Sequence, residues 1–324
     1  MTTFRCPPYD TELAPIQAAI PHFPISHELI ISAHKDPSIY GPLPGVAELI
    51  GDRPIAHTEH QAPGLQPDDP PVTLSVFTPI SNEDSSPPRP CIYFIHGGGM
   101  IFLHRLVGLE QPLDWVTATG CVLVSVEYRL APENPQPALS NDCYAGLCWV
   151  NANAGTLGVD PNRIMVAGHS GGSCLAAAIA LMARDKDGPP ICAQLLACPM
   201  LDDRNDTVSS RQFEDEPWDR ASNILAWSAV LGDRAGEDDV SEYFAPARAK
   251  NHEGLPPAWI DVGSAEVMRD EAVAYASKLW AAGVQAELHV WPGGFHGFDM
   301  MAPKSQLAVQ AIAAKNNWVK KTLA

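Results

Sequence analysis

The stretch Val166-Ala-Gly-His-Ser-Gly-Gly-Ser173 places a serine between glycines, after the apolar run 163–167 and before a helical pattern over 172–185. A serine in a G-x-S-x-G pattern between a buried strand and a helix is typical of a nucleophile elbow. The glycines suit such a turn, because the serine is strained and the strand and helix backbones pass close together. The pattern also occurs by chance, and a Gly-rich turn with a capping serine is the alternative interpretation. The stretch therefore makes Ser170 a candidate nucleophile within an alternating strand and helix fold.

Short apolar runs on either side of this stretch predict a mainly parallel sheet. Runs of this length, continuous rather than alternating, suit strands that are buried on both faces. The predicted strands are 91–95, 121–126, 163–167, 191–197, 258–262 and 286–290, and the predicted helices are roughly 139–153, 172–185, 270–282 and 304–322. A further strand is predicted from Val72, whereas the first 70 or so residues are expected to be irregular, with short helical pieces. This alternation indicates an α/β fold with right-handed crossovers.

Length and composition limit the classes of protein and of partner. A chain of 324 residues with 46% hydrophobic residues can form one large core. The formal charge of −17, without a Lys/Arg cluster, argues against nucleic acid and anionic membrane surfaces as partners. No apolar run has the length of a membrane span and the N-terminus lacks a secretory pattern, so we expect a cytoplasmic protein. Eight cysteines without a C-x-x-C pair predict reduced thiols.

A second glycine-rich motif, His96-Gly97-Gly98-Gly99, follows the predicted strand 91–95. Consecutive glycines after a strand expose backbone N–H groups in a concave arrangement, which stabilises a developing oxyanion in the HGGG motifs of lipases and esterases. A phosphate-cradling loop is the alternative, but no G-K-[ST] is nearby and the chain is acidic. We interpret the motif as an oxyanion hole.

An elbow serine needs an acid and a base further along the chain, in the order Ser, Asp/Glu, His. His296 is the candidate base, because it lies in a Gly-rich loop just after the last predicted strand, whereas His289 lies within that strand. Glu266 is the candidate acid on position, after the predicted strand 258–262. Asp261, inside that strand, and Asp270, which opens a predicted helix and would stabilise its dipole, stay as alternatives.

His169, next to the candidate nucleophile, raises the question of a local Ser–His pair. An elbow directs its serine alone into the cleft, so the adjacent histidine diverges from it and cannot easily align its ring with the serine Oγ. We expect His169 to form a hydrogen bond behind the elbow or to shape the oxyanion loop.

About 60 residues separate the predicted strands 191–197 and 258–262, more than one crossover needs. The segment 209–232 within this interval predicts a helical cap over the carboxyl edge of the sheet, where α/β folds bind their ligands. An ordinary surface helical hairpin is the alternative. Bulky Phe102, Trp218 and Trp227 predict a confined apolar acyl pocket.

Taken together, these motifs resemble the hormone-sensitive-lipase-like (family IV) esterases of the α/β-hydrolase fold. The resemblance runs from about Cys91 to Met301 and rests on HGGG (96–99), EYRLAPE (127–133), the serine elbow, AEVMRDE (265–271) and HGF (296–298). It implies one α/β-hydrolase domain over 1–324, with a mainly parallel central sheet flanked by helices and a cap built from about 1–50 and about 202–235. It also implies a function without a cofactor, and no metal-ligand spacing is visible in the sequence.

The resemblance implies a role for each site residue. Ser170 would be the nucleophile, His296 the general base and then the acid, and Glu266 the acid that orients His296, while the oxyanion hole would use the backbone N–H groups of Gly98, Gly99 and Gly171. The family usually has Asp before the serine, Ala after it, and Asp at the acid position. This chain has His169, Gly171 and Glu266 there.

The expected function is hydrolysis of short to medium acyl esters of a small-molecule substrate through an acyl-enzyme. An acyltransferase or a lactonase with the same triad is one alternative. A ligand-binding protein on a hydrolase scaffold is the other, but the plant gibberellin receptors that illustrate it lack the triad histidine, and His296 is present here. The last predicted strand, AELHV (286–290), would be a sheet edge available for a homodimer.

Overall fold

The structure is a computed structural model that describes residues 5–21, 24–40, 44–80, 87–214 and 216–324. Eight strands in these residues form one sheet: β1 (Ile55–Ala62), β2 (Val72–Pro79), β3 (Arg89–Ile95), β4 (Val122–Glu127), β5 (Val159–His169), β6 (Ala193–Ala197), β7 (Ala258–Gly263) and β8 (Ala286–Trp291). The strand order is β1-β2-β4-β3-β5-β6-β7-β8. The pairs β1–β2 and β2–β4 are antiparallel and the other pairs are parallel, so the predicted mainly parallel sheet is confirmed.

Helices pack on both faces of this sheet. In the described residues the α-helices are α1 (Ala14–Ala19), α2 (His27–Lys35), α3 (Val46–Ile50), α4 (Glu110–Thr119), α5 (Ala138–Ala152), α6 (Ala154–Leu157), α7 (Gly171–Asp185), α8 (Arg220–Leu231), α9 (Arg269–Ala281), α10 (Phe298–Met301) and α11 (Gln306–Leu323). Short 3₁₀ segments lie at Pro37–Tyr40, Ser209–Arg211, Gly232–Arg234 and Pro246–Arg248. The four predicted helices correspond to α5, α7, α9 and α11, with ends shifted by one or two residues.

The central strands separate two apolar layers, which explains their continuous apolar sequences. Along β3, Tyr93 and Ile95 belong to the layer under α5, α7 and α9. Ile92 and Phe94 belong to the layer under α4 and α11. Successive side chains of a strand point to opposite faces, so a strand covered on both sides needs apolar residues at every position.

Two elements were absent from the prediction. The region expected to be irregular contains β1, which pairs antiparallel with β2 at the edge of the sheet. Its sequence IAHTEHQA is mostly polar, because an edge strand with largely exposed side chains needs no apolar run. Helix α4 lies between β3 and β4 and buries only four of its ten residues, and Pro112 in its first turn weakens the helical pattern.

The cysteines and the helices bear on two further predictions. All eight cysteines are free thiols, as predicted. Among the helices of the described ranges, none combines the length and the apolar character that a membrane crossing requires.

Candidate active site

Ser170 lies at the turn between β5 and α7 in the strained conformation that an elbow requires. Its φ of 55° and ψ of −119° lie outside the regions that non-glycine residues favour. Its neighbours must be glycines for steric reasons. A Cβ at Gly168 would lie 2.3 Å from the Gly172 carbonyl oxygen, and a Cβ at Gly172 would lie 2.2 Å from the Ile95 carbonyl oxygen. The capping turn that was the alternative interpretation is not observed, since the Ser170 side chain makes no cap hydrogen bond to α7.

Ser170, His296 and Glu266 form one hydrogen-bonded chain, although they are far apart in sequence. The Ser170 Oγ lies 3.0 Å from His296 Nε2, and His296 Nδ1 lies 2.6 Å from Glu266 Oε2. The other Glu266 oxygen accepts a hydrogen bond of 2.7 Å from the Gly263 N–H. All three side chains are buried, with Glu266 only 1% exposed. The loops after β5, β7 and β8 meet at the carboxyl edge of the sheet, which brings the three residues together.

The two alternative acids have other partners. Asp261 Oδ2 lies 3.5 Å from Lys315 Nζ and accepts a hydrogen bond of 3.3 Å from the Trp291 indole N–H. Asp270, at the start of α9, accepts a hydrogen bond of 2.8 Å from the Ser209 backbone N–H and pairs with Arg269 at 2.8 Å. Glu266 is the candidate that contacts the His296 ring.

The glycine-rich loop after β3 packs directly against the elbow. A Cβ at Gly171 would lie 2.8 Å from the Met100 backbone nitrogen and 2.9 Å from the Gly99 Cα. Gly98 and Gly99 have φ values of 98° and 60°, which favour glycine. Together with Gly97, these two residues line the cavity that contains Ser170. The three candidate oxyanion glycines are therefore close together beside the serine.

Buried aromatic side chains hold this loop from behind. The ring of His96 stacks on that of Tyr128 with centroids 4.2 Å apart, and the Tyr128 hydroxyl donates a hydrogen bond of 3.0 Å to the His96 carbonyl oxygen. Burial lowers the pKa of His96 to about 4, so the ring is neutral at pH 7. Sequence analysis did not assign a role to Tyr128. Its position inside the EYRLAPE motif was the available signal.

The charged residues of the same motif have structural partners. Arg129 pairs with Asp142 at 2.7 Å and with Asp69 at 3.0 Å. Glu133 lies 2.8 Å from His34 Nδ1 on α2. The motif therefore connects the sheet to the N-terminal region.

His169 does not form a hydrogen bond to Ser170 in the structure, so no local Ser–His pair exists. Its Nε2 lies 3.3 Å from the Cys198 Sγ, and its ring centroid lies 6.0 Å from that of His296. Burial lowers the pKa of His169 to about 3, so the ring is neutral at pH 7. Its Nδ1 would lie 3.2 Å from a Cβ at Gly97, so the ring also packs against the glycine-rich loop.

A cavity of about 340 Å³ lies over Ser170 and His296. Trp218 forms part of its wall, and the Trp218 ring lies so close to Gly99 that a Cβ there would be 2.1 Å away. Phe102 and Trp227 are not among the lining residues, so only one of the three predicted aromatics borders this cavity. Trp227 faces the core from α8 and is fully buried. Lining residues that the sequence did not single out are Leu103, Val107, Met300 and Met301.

No arrangement of three or more His, Cys, Asp or Glu side chains suited to a metal ion occurs within the described ranges.

Comparison with known proteins gives the same fold and a consistent class of enzyme. The alpha/beta hydrolase fold family matches residues 92–300, a range that contains every candidate site residue. Carboxylesterase NlhH of Mycobacterium tuberculosis is 39% identical over 247 residues, which cover 74% of this chain and 75% of that protein. Esterase LipI of the same organism is 34% identical over 268 residues, which cover 81% and 82%. The solved structure "Bacterial Heroin Esterase" has a TM-score of 0.88 and 36% identity over 98% of both chains.

These matches show that the chain belongs to the α/β-hydrolase family. Within this family it is a carboxylesterase of the hormone-sensitive-lipase-like group, as the sequence motifs predicted.

Proposed function

We propose that this carboxylesterase acts through a Ser170–His296–Glu266 triad and an acyl-enzyme. The observation that carries the proposal is the chain of two hydrogen bonds, 3.0 Å from Ser170 Oγ to His296 Nε2 and 2.6 Å from His296 Nδ1 to Glu266 Oε2. A serine hydroxyl is a weak nucleophile unless a base removes its proton as it attacks, and a base needs a third group to orient it.

The mechanism follows from these contacts. Ser170 Oγ attacks the ester carbonyl carbon while His296 Nε2 takes its proton, and the carbonyl oxygen becomes an oxyanion at the amides of Gly98, Gly99 and Gly171. The tetrahedral intermediate collapses, the C–O bond to the alcohol breaks, and His296 protonates the departing alkoxide. Water then attacks the acyl-enzyme in the same way and releases the acid. Glu266 stays ionised and keeps the proton on Nδ1, so that Nε2 can accept a proton.

We further propose that the substrates carry short to medium acyl chains. The cavity over Ser170 has a volume of about 340 Å³, at the small end of the range for ligand pockets. Its wall includes the apolar side chains of Leu103, Val107, Met300 and Met301. A confined apolar pocket fits a short acyl chain and resists a long one.

A cap over this cavity is part of the proposal, within one α/β-hydrolase domain over 1–324. The N-terminal segment and the insertion contact each other, since Cys6 Sγ donates a hydrogen bond of 2.8 Å to the Gln212 carbonyl oxygen. Trp218 brings the insertion onto the glycine-rich loop. The proposed cap ranges are 1–50 and 202–235, of which residues 1–4, 22–23, 41–43 and 215 lie outside the described residues.

The decisive experiment replaces the nucleophile. Ser170→Ala should lower kcat for a butyrate ester by about a million-fold if the triad acts as a unit, and it should abolish labelling by a fluorophosphonate probe. Ser173→Ala is the matched control, because this buried serine donates its hydroxyl to the Ala197 carbonyl oxygen at 2.9 Å and has no contact with His296. Undiminished ester turnover by Ser170→Ala would refute the proposed mechanism. If butyrate esters are hydrolysed more slowly than long-chain triglycerides, the proposed preference for short to medium acyl chains is wrong.

A further inference from the structure

A second cavity, of about 440 Å³, lies beside the cavity over Ser170. It lies on the face of the sheet that α4 and α11 cover, because Trp115 and Ile312 are among its walls. The two cavities share five bordering residues: Phe94, Val107, Gly108, His169 and Met300. The two cavities are therefore adjacent, and these residues form their common boundary.

His169 stands at the boundary between the two cavities. Its ring is only partly buried and borders both of them. Within the described part of the chain, its hydrogen bond is the one between Nε2 and Cys198, which leaves Nδ1 for another partner. A neutral imidazole nitrogen at this position can donate or accept one hydrogen bond from a group that passes between the cavities.

The second cavity has an acidic character. Lys315 Nζ, at its inner wall, lies 2.9 Å from Asp299 and 3.5 Å from Asp261, so one ammonium faces two carboxylates. Burial lowers the pKa of Lys315, but the two carboxylates raise it by more. Burial raises the pKa of Asp299, but Lys315 lowers it by more, so Lys315 and Asp299 are both ionised at neutral pH.

The outer wall of the cavity adds further carboxylates. Asp114 is paired with Arg53 at 2.6 Å, and Glu110 is an exposed carboxylate. Among the residues that border this cavity, the carboxylates Glu110, Asp114 and Asp299 outnumber the one ammonium of Lys315, and Glu110 is in excess once the pairing of Asp114 with Arg53 is counted. Phe94 and Trp115 place aromatic rings at the same walls, and aromatic faces attract cations.

The position of the second cavity relative to His296 decides which part of an ester it holds. The leaving alcohol must contact His296 Nε2 to be protonated, so it departs on the side of the His296 ring. His169, at the boundary of the second cavity, lies beside that ring, with the two ring centroids 6.0 Å apart. The acyl part is bonded to the same carbon and points elsewhere.

We propose that this second cavity is a binding site for the alcohol part of the ester and prefers large, positively charged alcohols. We call it the alcohol chamber, bordered by Phe94, Trp115, His169, Met300, Ile312 and Lys315. The inference rests on the proposed function, because it assumes that Ser170 and His296 cleave the ester.

The size of the alcohol chamber is tested by filling it from α11. Ile312→Trp should lower kcat/KM for 4-tert-butylbenzyl acetate relative to ethyl acetate by about tenfold or more, because the indole occupies the space that the benzyl group needs. Gln310→Trp is the matched control, since Gln310 is exposed on the opposite side of α11 and should leave the ratio unchanged. If Ile312→Trp does not fold, as judged by its thermal unfolding, Ile312→Phe provides the same comparison with a smaller ring.

The charge preference is tested with a matched pair of substrates, 4-(trimethylammonio)benzyl acetate and 4-tert-butylbenzyl acetate. The enzyme should favour the charged ester, and the preference should decrease as salt is added. Glu110→Gln should reduce the preference by about two- to fivefold, the size expected for one exposed charge. Glu253→Gln, an exposed carboxylate in the turn before β7 and thus at the other end of the sheet, should leave it unchanged.

The possible failures are distinguishable. If Ile312→Trp impairs ethyl esters of longer acids rather than acetates of large alcohols, the assignment of the chamber to the alcohol is wrong. If the two benzyl esters are cleaved equally well at every salt concentration, the charge preference is wrong. If no ester is hydrolysed in a Ser170-dependent way, the proposed function itself fails, whatever the substitutions on α11 do.

Discussion

Glu266 shows how one methylene group changes the construction of the proposed triad. Its two carboxylate oxygens have separate tasks, since Oε1 accepts from the Gly263 N–H at 2.7 Å and Oε2 from His296 at 2.6 Å. The family commonly has the shorter Asp at this position. The longer side chain reaches both partners because Glu266 follows β7 by three residues in a loop that turns back onto the strand end.

Replacing this carboxylate by an amide should remove activity and preserve the fold. In Glu266→Gln the amide oxygen can still accept from Gly263, so its NH₂ group faces His296 Nδ1 and forces the proton onto Nε2, where it blocks proton transfer from Ser170. We expect kcat to fall by about 10⁴-fold, as for the amide variant of a triad acid, with little change in thermal unfolding. Glu271→Gln is the control, because Glu271 is buried on α9 and accepts a hydrogen bond of 2.7 Å from the Leu201 N–H, which an amide oxygen can also accept. An equal loss of kcat in both variants would contradict the assignment of Glu266 as the triad acid.

Gly171 is the second residue at which this chain departs from its family, which usually has Ala. The oxyanion loop lies so close that a Cβ here would be 2.8 Å from the Met100 nitrogen. Gly171→Ala should therefore displace the loop and lower kcat by about tenfold to a hundredfold, with a smaller effect on KM. Gly155→Ala is a fitting control, because nothing lies within 4 Å of the added Cβ. Wild-type kcat in Gly171→Ala would show that the loop adjusts without cost.

At the scale of elements, α11 connects the two loops that carry the proposed triad acid and base. Its residue Lys315 contacts Asp299, three residues after His296, and Asp261 near the end of β7. The amphipathic pattern predicted the helix, but it did not predict that a lysine in it would be 3% exposed.

Lys315→Met should destabilise the protein by about 3–5 kcal/mol, because it leaves two buried carboxylates without a cation. In the variant the folded state holds protons on these carboxylates more tightly than the unfolded state does, so its stability should decrease as the pH rises from 5 to 8. The wild type should lose the contribution of Asp299, whose pKa is lowered in the folded state, only as the pH falls below about 4.

Urea unfolding at pH 5 and pH 8 measures this difference, and Lys320→Met, an exposed residue of the same helix, should show no such pH dependence. If Lys315→Met lowers the free energy of unfolding by the same amount at both pH values, the result argues against the buried ion cluster.

At the scale of the whole molecule, β8 ends the sheet and leaves one side of its backbone without a neighbouring strand in the described residues. Val290 on this strand is 39% exposed. Open edges of this kind pair with other chains unless charges protect them, so the homodimer predicted from the sequence stays a prediction.

Sedimentation velocity tests it. The wild type should sediment as a species of twice 34.9 kDa, and Val290→Lys should sediment as a monomer with unchanged kcat, because the substitution lies on the sheet edge. A monomeric wild type at micromolar concentration would rule out pairing through β8.

The local sequence was sufficient to predict the elements that have the same kind of surroundings on every side. The apolar runs predicted β3 to β8 because strands buried on both faces need apolar residues throughout, and glycine patterns located the elbow and the oxyanion loop because only glycine fits those backbones. Strand β1 was missed because its sequence is mostly polar, and helix α4 because Pro112 interrupts its pattern; both gain stability from neighbours that are distant in the chain.

The sequence by itself determined strands β2 to β8, four of the helices, the turn that holds Ser170 and the set of candidate acids and bases. Tertiary structure decided which of them meet. It brought Glu266 rather than Asp261 or Asp270 to His296, turned His169 away from Ser170, placed Trp218 but not Trp227 over the site, and opened a second cavity between α4 and α11. The reason is physical. A backbone preference is a property of a few neighbouring residues, whereas a hydrogen-bond partner or a cavity wall depends on packing between segments that are distant in the chain, 30 residues apart for Glu266 and His296 and 126 for Ser170 and His296.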